Sequence, residues 1–217
     1  MATLDQQEQE QIDAFKTWWK DNGKWVLLAL ALAIGATVAV RGWYGYKGKQ
    51  DVAAAALFAD LGRQMQSNDP RRINDAATAM MDKYASSGYA PRAALLAAQV
   101  NIQSRDMERA KTQLQWAIKH ADEAALKDVA RLKLASLLLD AKDYAGAMAQ
   151  LDAAHPEAFN GLYTDLKGDV LSAQGKVAEA RAAYREAFAK TDAKSTYRNL
   201  IQMKLDGLGE DTQGAAK

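Results

Sequence analysis

The sequence predicts an all-α protein: a single spanning helix near the N-terminus followed by a stack of helix pairs. Three observations carry this. Residues 25–40 contain no charge, short side chains recur about every 34 positions after residue 70, and the three prolines fall between helical segments or at the start of one. An Ala-rich, Pro-poor chain with 8% aromatic residues favours helices over strands.

The N-terminal residues 1–24 are polar except for Ile12, Phe15, Trp18 and Trp19, which fall at i, i+3, i+6 and i+7. That spacing makes an apolar stripe on a helix. Two readings stay open: an interfacial or partner-docking helix, or a simple extension of the helix that follows.

Residues 25–40 run Trp-Val-Leu-Leu-Ala-Leu-Ala-Leu-Ala-Ile-Gly-Ala-Thr-Val-Ala-Val. Sixteen residues rise only about 24 Å, short of a hydrocarbon core of about 30 Å. The run continues as Arg41-Gly42-Trp43-Tyr44-Gly45-Tyr46, where Arg41 can snorkel and the aromatic rings suit the headgroup layer. Trp25, with Trp18 and Trp19, would form the opposite belt. A transmembrane helix is therefore expected over 25–46. A core helix bracketed by Lys24 and Arg41 would be unusual, and cleavage near Thr37-Val38-Ala39 would need a shorter, less acidic leader than residues 1–24. An uncleaved, single-pass anchor is expected. Its orientation is undecided by charge, because Lys16, Lys20 and Lys24 on one side balance Arg41, Lys47 and Lys49 on the other.

The repeats follow from residue 47. Aligning on one small residue gives Ala76, Ala110, Ala147 and Ala180, spaced 34, 37 and 33 apart. A period of 34 is that of tetratricopeptide repeats. Four residues after each alanine stands an apolar knob: Met80, Leu114, Leu151 and Tyr184. Seven after it come Ala117, Ala154 and Ala187, with Lys83 departing in the first unit; twelve before it come Ala98, Ala135 and Gly168. Antiparallel helices approach closely only where neither side chain projects far. Turns are expected at Asp69-Pro70, Arg105-Asp106, Lys142-Asp143 and Gly175-Lys176. The helix pairs are therefore placed at 51–67 with 71–84, 91–104 with 107–121, 126–141 with 144–154, and 160–174 with 177–190. A capping helix is expected at about 194–208. The domains read as a tail over 1–24, the span over 25–46, a tetratricopeptide-like repeat domain over 47–208, and a flexible tail over 209–217.

Net charge is +1, from 28 basic and 27 acidic residues, and signs are interspersed. Nucleic-acid binding, which needs a concentrated basic face, is not expected. The absence of Cys removes disulfides, thiolate metal sites and a lipidated Cys. His120 and His155 are far apart in sequence and read as solvated helix-end or loop residues. No Walker A loop, HExxH or GxSxG motif occurs. No enzymatic activity, metal or cofactor is expected. What remains is recognition on the face formed by the first helix of each pair. Register places Leu95, Gln99 and Ile102, then Leu132, Ser136 and Leu139, then Asp165, Asp169 and Ser172 along that groove. The tetratricopeptide clamp for a peptide carboxylate uses Lys and Asn here; Gln99, Ser136 and Asp169 stand in the equivalent places. The groove suits an extended or partly unfolded segment or a partner helix. Packing of these leucines against neighbouring helices is the other open reading.

Several segments together resemble the YfgM family. They are Glu10-Gln11-Ile12-Asp13 through Asp21-Asn22-Gly23-Lys24, Arg41-Gly42-Trp43-Tyr44, Asp165-Leu166-Lys167-Gly168-Asp169, Gly175-Lys176 before Ala180-Arg181, and Gln202-Met203-Lys204-Leu205. The resemblance implies a bacterial inner-membrane protein with a cytoplasmic N-terminus and a periplasmic repeat domain, an ancillary subunit of the SecYEG translocon. The implied partners are the translocon, the membrane-anchored periplasmic chaperone PpiD, unfolded secretory polypeptides, and the lipid bilayer through residues 25–46. An envelope-stress adaptor that binds a response regulator through its tail, or an envelope-assembly scaffold, remains an alternative.

Overall fold

A computed structural model describes residues 2–66 and 69–209, with the side chains of 11–46, 48–66 and 69–209. Among these residues every regular element is helical. The chain divides into two units, Met1–Val52 and Ala53–Lys217. The first helix is α1 (Ala2–Met65).

In the first unit the apolar side chains from Trp25 to Val40 lie outward, among them Trp25, Leu32 and Val38, each more than 60% exposed. A helix apolar on all sides is stable only where something apolar covers it. Nothing in its own unit does. Among the described residues one helix, α1, is long and apolar enough to cross a membrane. Within its own unit this segment is therefore not a buried core helix.

The second unit is built from helix pairs. Residues 53–65 of α1 pair with α2 (Pro70–Lys83), α3 (Tyr89–Gln103) with α4 (Met107–His120), α5 (Ala124–Asp140) with α6 (Tyr144–Leu151), and α7 (Asn160–Ala173) with α8 (Val177–Lys190). The last helix is α9 (Tyr197–Gly207).

The turns share one physical device. Arg105, Lys142 and Gly175 each adopt a left-handed conformation, with φ of 63°, 61° and 77°. The following amide closes a six-residue loop back onto the first helix of the pair: Asp106 to Asn101 O at 2.8 Å, Asp143 to Leu138 O at 2.8 Å, Lys176 to Leu171 O at 2.9 Å. These are Schellman closures. The same Asp106 and Asp143 then cap the second helix, their carboxylates accepting from Arg109 N at 3.2 Å and Gly146 N at 2.9 Å. Asp69 does this for α2 through Arg71 N at 3.0 Å, with Pro70 preset as the first helical residue. A left-handed side-chain residue costs about 1 kcal/mol that glycine avoids. Arg105→Gly and Lys142→Gly are therefore each expected to stabilise the domain by about 0.5–1 kcal/mol, and Gly175→Ala to destabilise it by about 1 kcal/mol. Urea unfolding followed by circular dichroism reads these shifts, and opposite signs would reject the turn assignment.

The aligned small residues lie where the helices meet. Ala98, Ala110, Ala135, Ala147 and Ala180 are fully buried, and Ala76 nearly so. The knobs Met80, Leu114, Leu151 and Tyr184 are buried with them. Burying each aliphatic knob contributes roughly 2 kcal/mol. The glycine at the last small position follows from its neighbour: a Cβ on Gly168 would lie 2.5–3.1 Å from three atoms of the Tyr184 ring. The largest knob thus meets the smallest residue.

Ala154 departs from the repeat. It is exposed, because α6 ends at Leu151 and Pro156 prevents the helix from continuing. A short 3-10 helix, Glu157–Phe159, leads into α7 instead. The capping helix begins at Tyr197, three residues later than expected. Of the expected flexible tail, residues 210–217 lie outside the described residues.

One buried amide cluster ties the first two pairs. Asn101 exchanges bonds with Asn74 at 2.8 Å in both directions and donates to Gln113 Oε1 at 2.7 Å. Gln113 returns a donor to Asn74 Oδ1 at 2.8 Å. Each buried amide meets its hydrogen-bonding need through the other two, which fixes how α2, α3 and α4 register.

Candidate protein-binding face

The expected groove positions lie on the first helices of the pairs, α3, α5 and α7. Leu95, Ile102, Leu132 and Leu139 are all half-buried and pack against the same core that holds Leu114, Leu138 and Leu151. Leu95 also touches a smaller cluster around Ala94, Ala117 and Ala130. These side chains contribute to inter-helix packing while each keeps part of its surface exposed.

Gln99, Ile102 and Ser136 come together. With Met107, Lys133, Leu137 and Asp140 they line one cleft of about 210 Å³ between the second and third pairs. Lys133 Nζ donates to Gln99 Oε1 at 2.9 Å. The cleft has an apolar floor and a mixed-charge rim. It is smaller than the roughly 300–1,000 Å³ typical of small-molecule sites, so its size suits a single side chain.

Asp165 is buried and Asp169 half-buried, and both bond to the last helix. Asp165 is 1% exposed, and its Oδ2 accepts from Tyr197 Oη at 2.5 Å and Lys204 Nζ at 2.7 Å. Asp169 accepts from Tyr184 Oη at 2.7 Å and pairs with Lys204 at 2.7 Å. The cause is α9, which closes the end of the stack and brings its lysine to both carboxylates. Ser172, one turn on, is half-buried. Burial, and then hydrogen bonding to Asp169 or Asp165, raises the pKa of Tyr184 and Tyr197 well above the ordinary phenol value. Both phenols therefore stay protonated donors to these carboxylates at neutral pH. Tyr163 is raised for the same reasons, burial first and Asp128 second, and donates to Asp128 Oδ1 at 2.8 Å.

Lys133, Tyr197 and Lys204 were absent from the register argument. A signal for them exists in the sequence. Lys133 lies 34 residues after Gln99, Tyr197 lies 32 after Asp165, and Lys204 lies 35 after Asp169. Polar partners one repeat apart meet because equivalent helices of neighbouring pairs stand side by side.

The histidines depart from the solvated reading. His120 stacks on Trp116 at 4.0 Å between ring centres, and His155 stacks on Tyr163 at 3.8 Å. Among the described residues no three or more His, Asp and Glu side chains gather as a metal site would require.

Comparison with known proteins agrees with this architecture. A family described as the tetratricopeptide repeat-like domain matches residues 16–210. A relative from Neisseria gonorrhoeae, named ancillary SecYEG translocon subunit, is 32% identical over 203 residues, covering 93% of this chain and 97% of the relative. Proteins of the same name from Escherichia coli and Haemophilus influenzae are 27% and 24% identical, each over 93% of this chain and 96% and 98% of their own length. With the repeat register, the capped end and the uncovered apolar helix all in place over that length, the chain belongs to the YfgM family of tetratricopeptide repeat-like proteins.

Proposed function

We propose that this chain is a membrane-anchored protein-binding scaffold, an ancillary subunit of the SecYEG translocon. Its repeat domain stands on the periplasmic side, its N-terminus is cytoplasmic, and it works with the chaperone PpiD on emerging secretory polypeptides. The observation that carries this reading is the match to the Neisseria relative, 32% identical across 93% of the chain. The uncovered apolar helix supports it, since a lipid-embedded segment places the repeat domain beside the site where new chains appear. Tethering raises the local concentration of both, so weak contacts suffice. The cleft at Gln99, Ile102 and Ser136 has the size and rim chemistry to take one apolar side chain of an extended segment.

Photo-crosslinkers at exposed Val38, inside the span, and at exposed Ser136, on the cleft, test the reading in cells. Val38 is expected to capture a SecYEG subunit, and Ser136 to capture secretory precursors whose yield falls when secretion is blocked. Adducts to lipid alone from Val38, together with no precursor adduct from Ser136, would reject it.

A second reading has an observation of its own. Phe15, Trp18 and Trp19 are exposed by 42–60%, and their ring centres lie 6.1–6.4 Å apart. That aromatic surface favours a docking role for the tail, as an adaptor for a cytoplasmic regulator would require. Removal of residues 1–20 separates the two: loss of a cytoplasmic partner with unchanged translocon capture favours the adaptor, and retention of every partner excludes it.

A further inference from the structure

We propose that the cleft between the second and third pairs selects its guest by charge. The guest is an extended segment whose apolar residue is flanked, two positions away, by an acid on one side and a base on the other. This selection deepens the binding role proposed above and rests on it.

The selecting charges stand at the two ends of one line on α5. Lys133, Ser136, Leu137 and Asp140 fall at i, i+3, i+4 and i+7, so they share a helix face, and all four line the cleft. Between the charges lies the apolar floor, Ile102, Met107 and Leu137. Met107 is unbranched and polarizable, so this wall adapts to side chains of different shape. Lys133 Nζ is held at its end by Gln99 Oε1 of α3 at 2.9 Å, which uses one of its three donors. Asp140 is exposed, and among the described residues its carboxylate has no bonded partner.

The repeat shows that packing does not call for a lysine here. The equivalent position is Leu96 on α3 and Leu166 on α7, each packed against an apolar cluster. At this cleft a cation replaces a packing leucine.

Seven residues of helix separate Lys133 from Asp140 by about 10.5 Å along the axis. In an extended guest, residues i, i+2 and i+4 point to one face and cover about 13 Å. The flexible stems of the guest's own acid and base cover the difference. Its middle residue then enters the cleft while the acid reaches Lys133 and the base reaches Asp140. A guest with two acids or two bases meets like charge at one end and is rejected.

Photo-crosslinking of short peptides to the full-length protein in detergent micelles tests this, read as adduct mass. Each peptide carries photo-leucine at its centre and differs only two positions to either side: Glu and Lys, Glu and Glu, or Lys and Lys. The mixed peptide is expected to give about threefold more adduct than either like-charged one, the scale of a single exposed ion pair. Lys133→Glu should move the preference to the Lys and Lys peptide, and Asp140→Lys to the Glu and Glu peptide. Both changes together should restore preference for the mixed peptide. Such a switch is a gain for one guest, which misfolding does not produce. At about 1 M salt, where the screening length falls to about 3 Å, the peptides should converge. Equal yields from the three peptides at low salt, a preference that neither variant moves, or no adduct from any peptide would overturn the selection. The wider binding role fails separately, through the absence of precursor adducts from Ser136 in cells.

Discussion

Lys204→Met is expected to cost the repeat domain about 3 kcal/mol, the scale for removing one partner of a buried charge cluster. Among the described residues Lys204 bridges Asp165 and Asp169, and it lies over the Tyr184 ring at 5.4 Å. Without it, two neighbouring carboxylates, one of them wholly buried, keep only phenol donors. The chain can relieve that cost only by admitting water, which means undocking α9. The measurement is hydrogen exchange: amides of α9 and the second half of α7 should lose protection while α3 and α4 keep theirs. A companion variant, Asp165→Asn with Asp169→Asn and Lys204→Met, should recover most of the loss, because it removes the unpaired charges along with the cation. Equal destabilisation in both variants would show that packing of the Lys204 stem, and not its charge, holds the cap. The outcome also decides a functional question. If the cluster holds the cap, Asp165 and Asp169 are closing residues of the stack and the binding face ends before α7.

Gly168→Ala should follow at about 2 kcal/mol, despite the gain of about 1 kcal/mol that alanine ordinarily brings to a helix interior. The new methyl would meet the Tyr184 ring, which cannot swing aside freely because its hydroxyl is bonded to Asp169. The other pairs suggest the remedy. Where Ala98 and Ala135 hold the equivalent position, the knob is Leu114 or Leu151. Adding Tyr184→Leu to Gly168→Ala should therefore cost less than the sum of the two single changes, by about 1 kcal/mol or more in a double-mutant cycle read by urea unfolding. Strict additivity would mean that the two positions do not constrain each other, and the size-matching account of the repeat would fail.

Much of the fold was readable from spacing because the determinants are local and periodic. Ala110, Ala147 and Ala180 mark helix contacts at any register of the full structure, and Asp106 and Asp143 close one helix while capping the next. Ala154 was misplaced because periodicity assumes that every second helix has the same length, whereas Pro156 shortens α6. The candidate face was harder to read. Register identifies which helix a residue belongs to, but half-burial of Leu95, Leu132 and Leu139 depends on what the neighbouring pair presents. Asp165 is the clearest case: its equivalents Leu95 and Leu132 are half-buried, yet it is sealed, because the helix that follows its pair is a cap carrying Tyr197 and Lys204.

The order of residues by itself determined that this protein is helical, that a charge-free segment long enough to enter a bilayer precedes a repeating array, and where each helix pair turns. Those properties arise from side chains within a few positions of one another, from backbone preference and from amphipathic period. Only the tertiary structure decided which polar groups are buried together, that Gly168 exists to admit a tyrosine, and that Asp165 and Asp169 bond to the last helix. Such pairings join residues about one repeat apart, and their strength depends on how completely the surrounding helices exclude water.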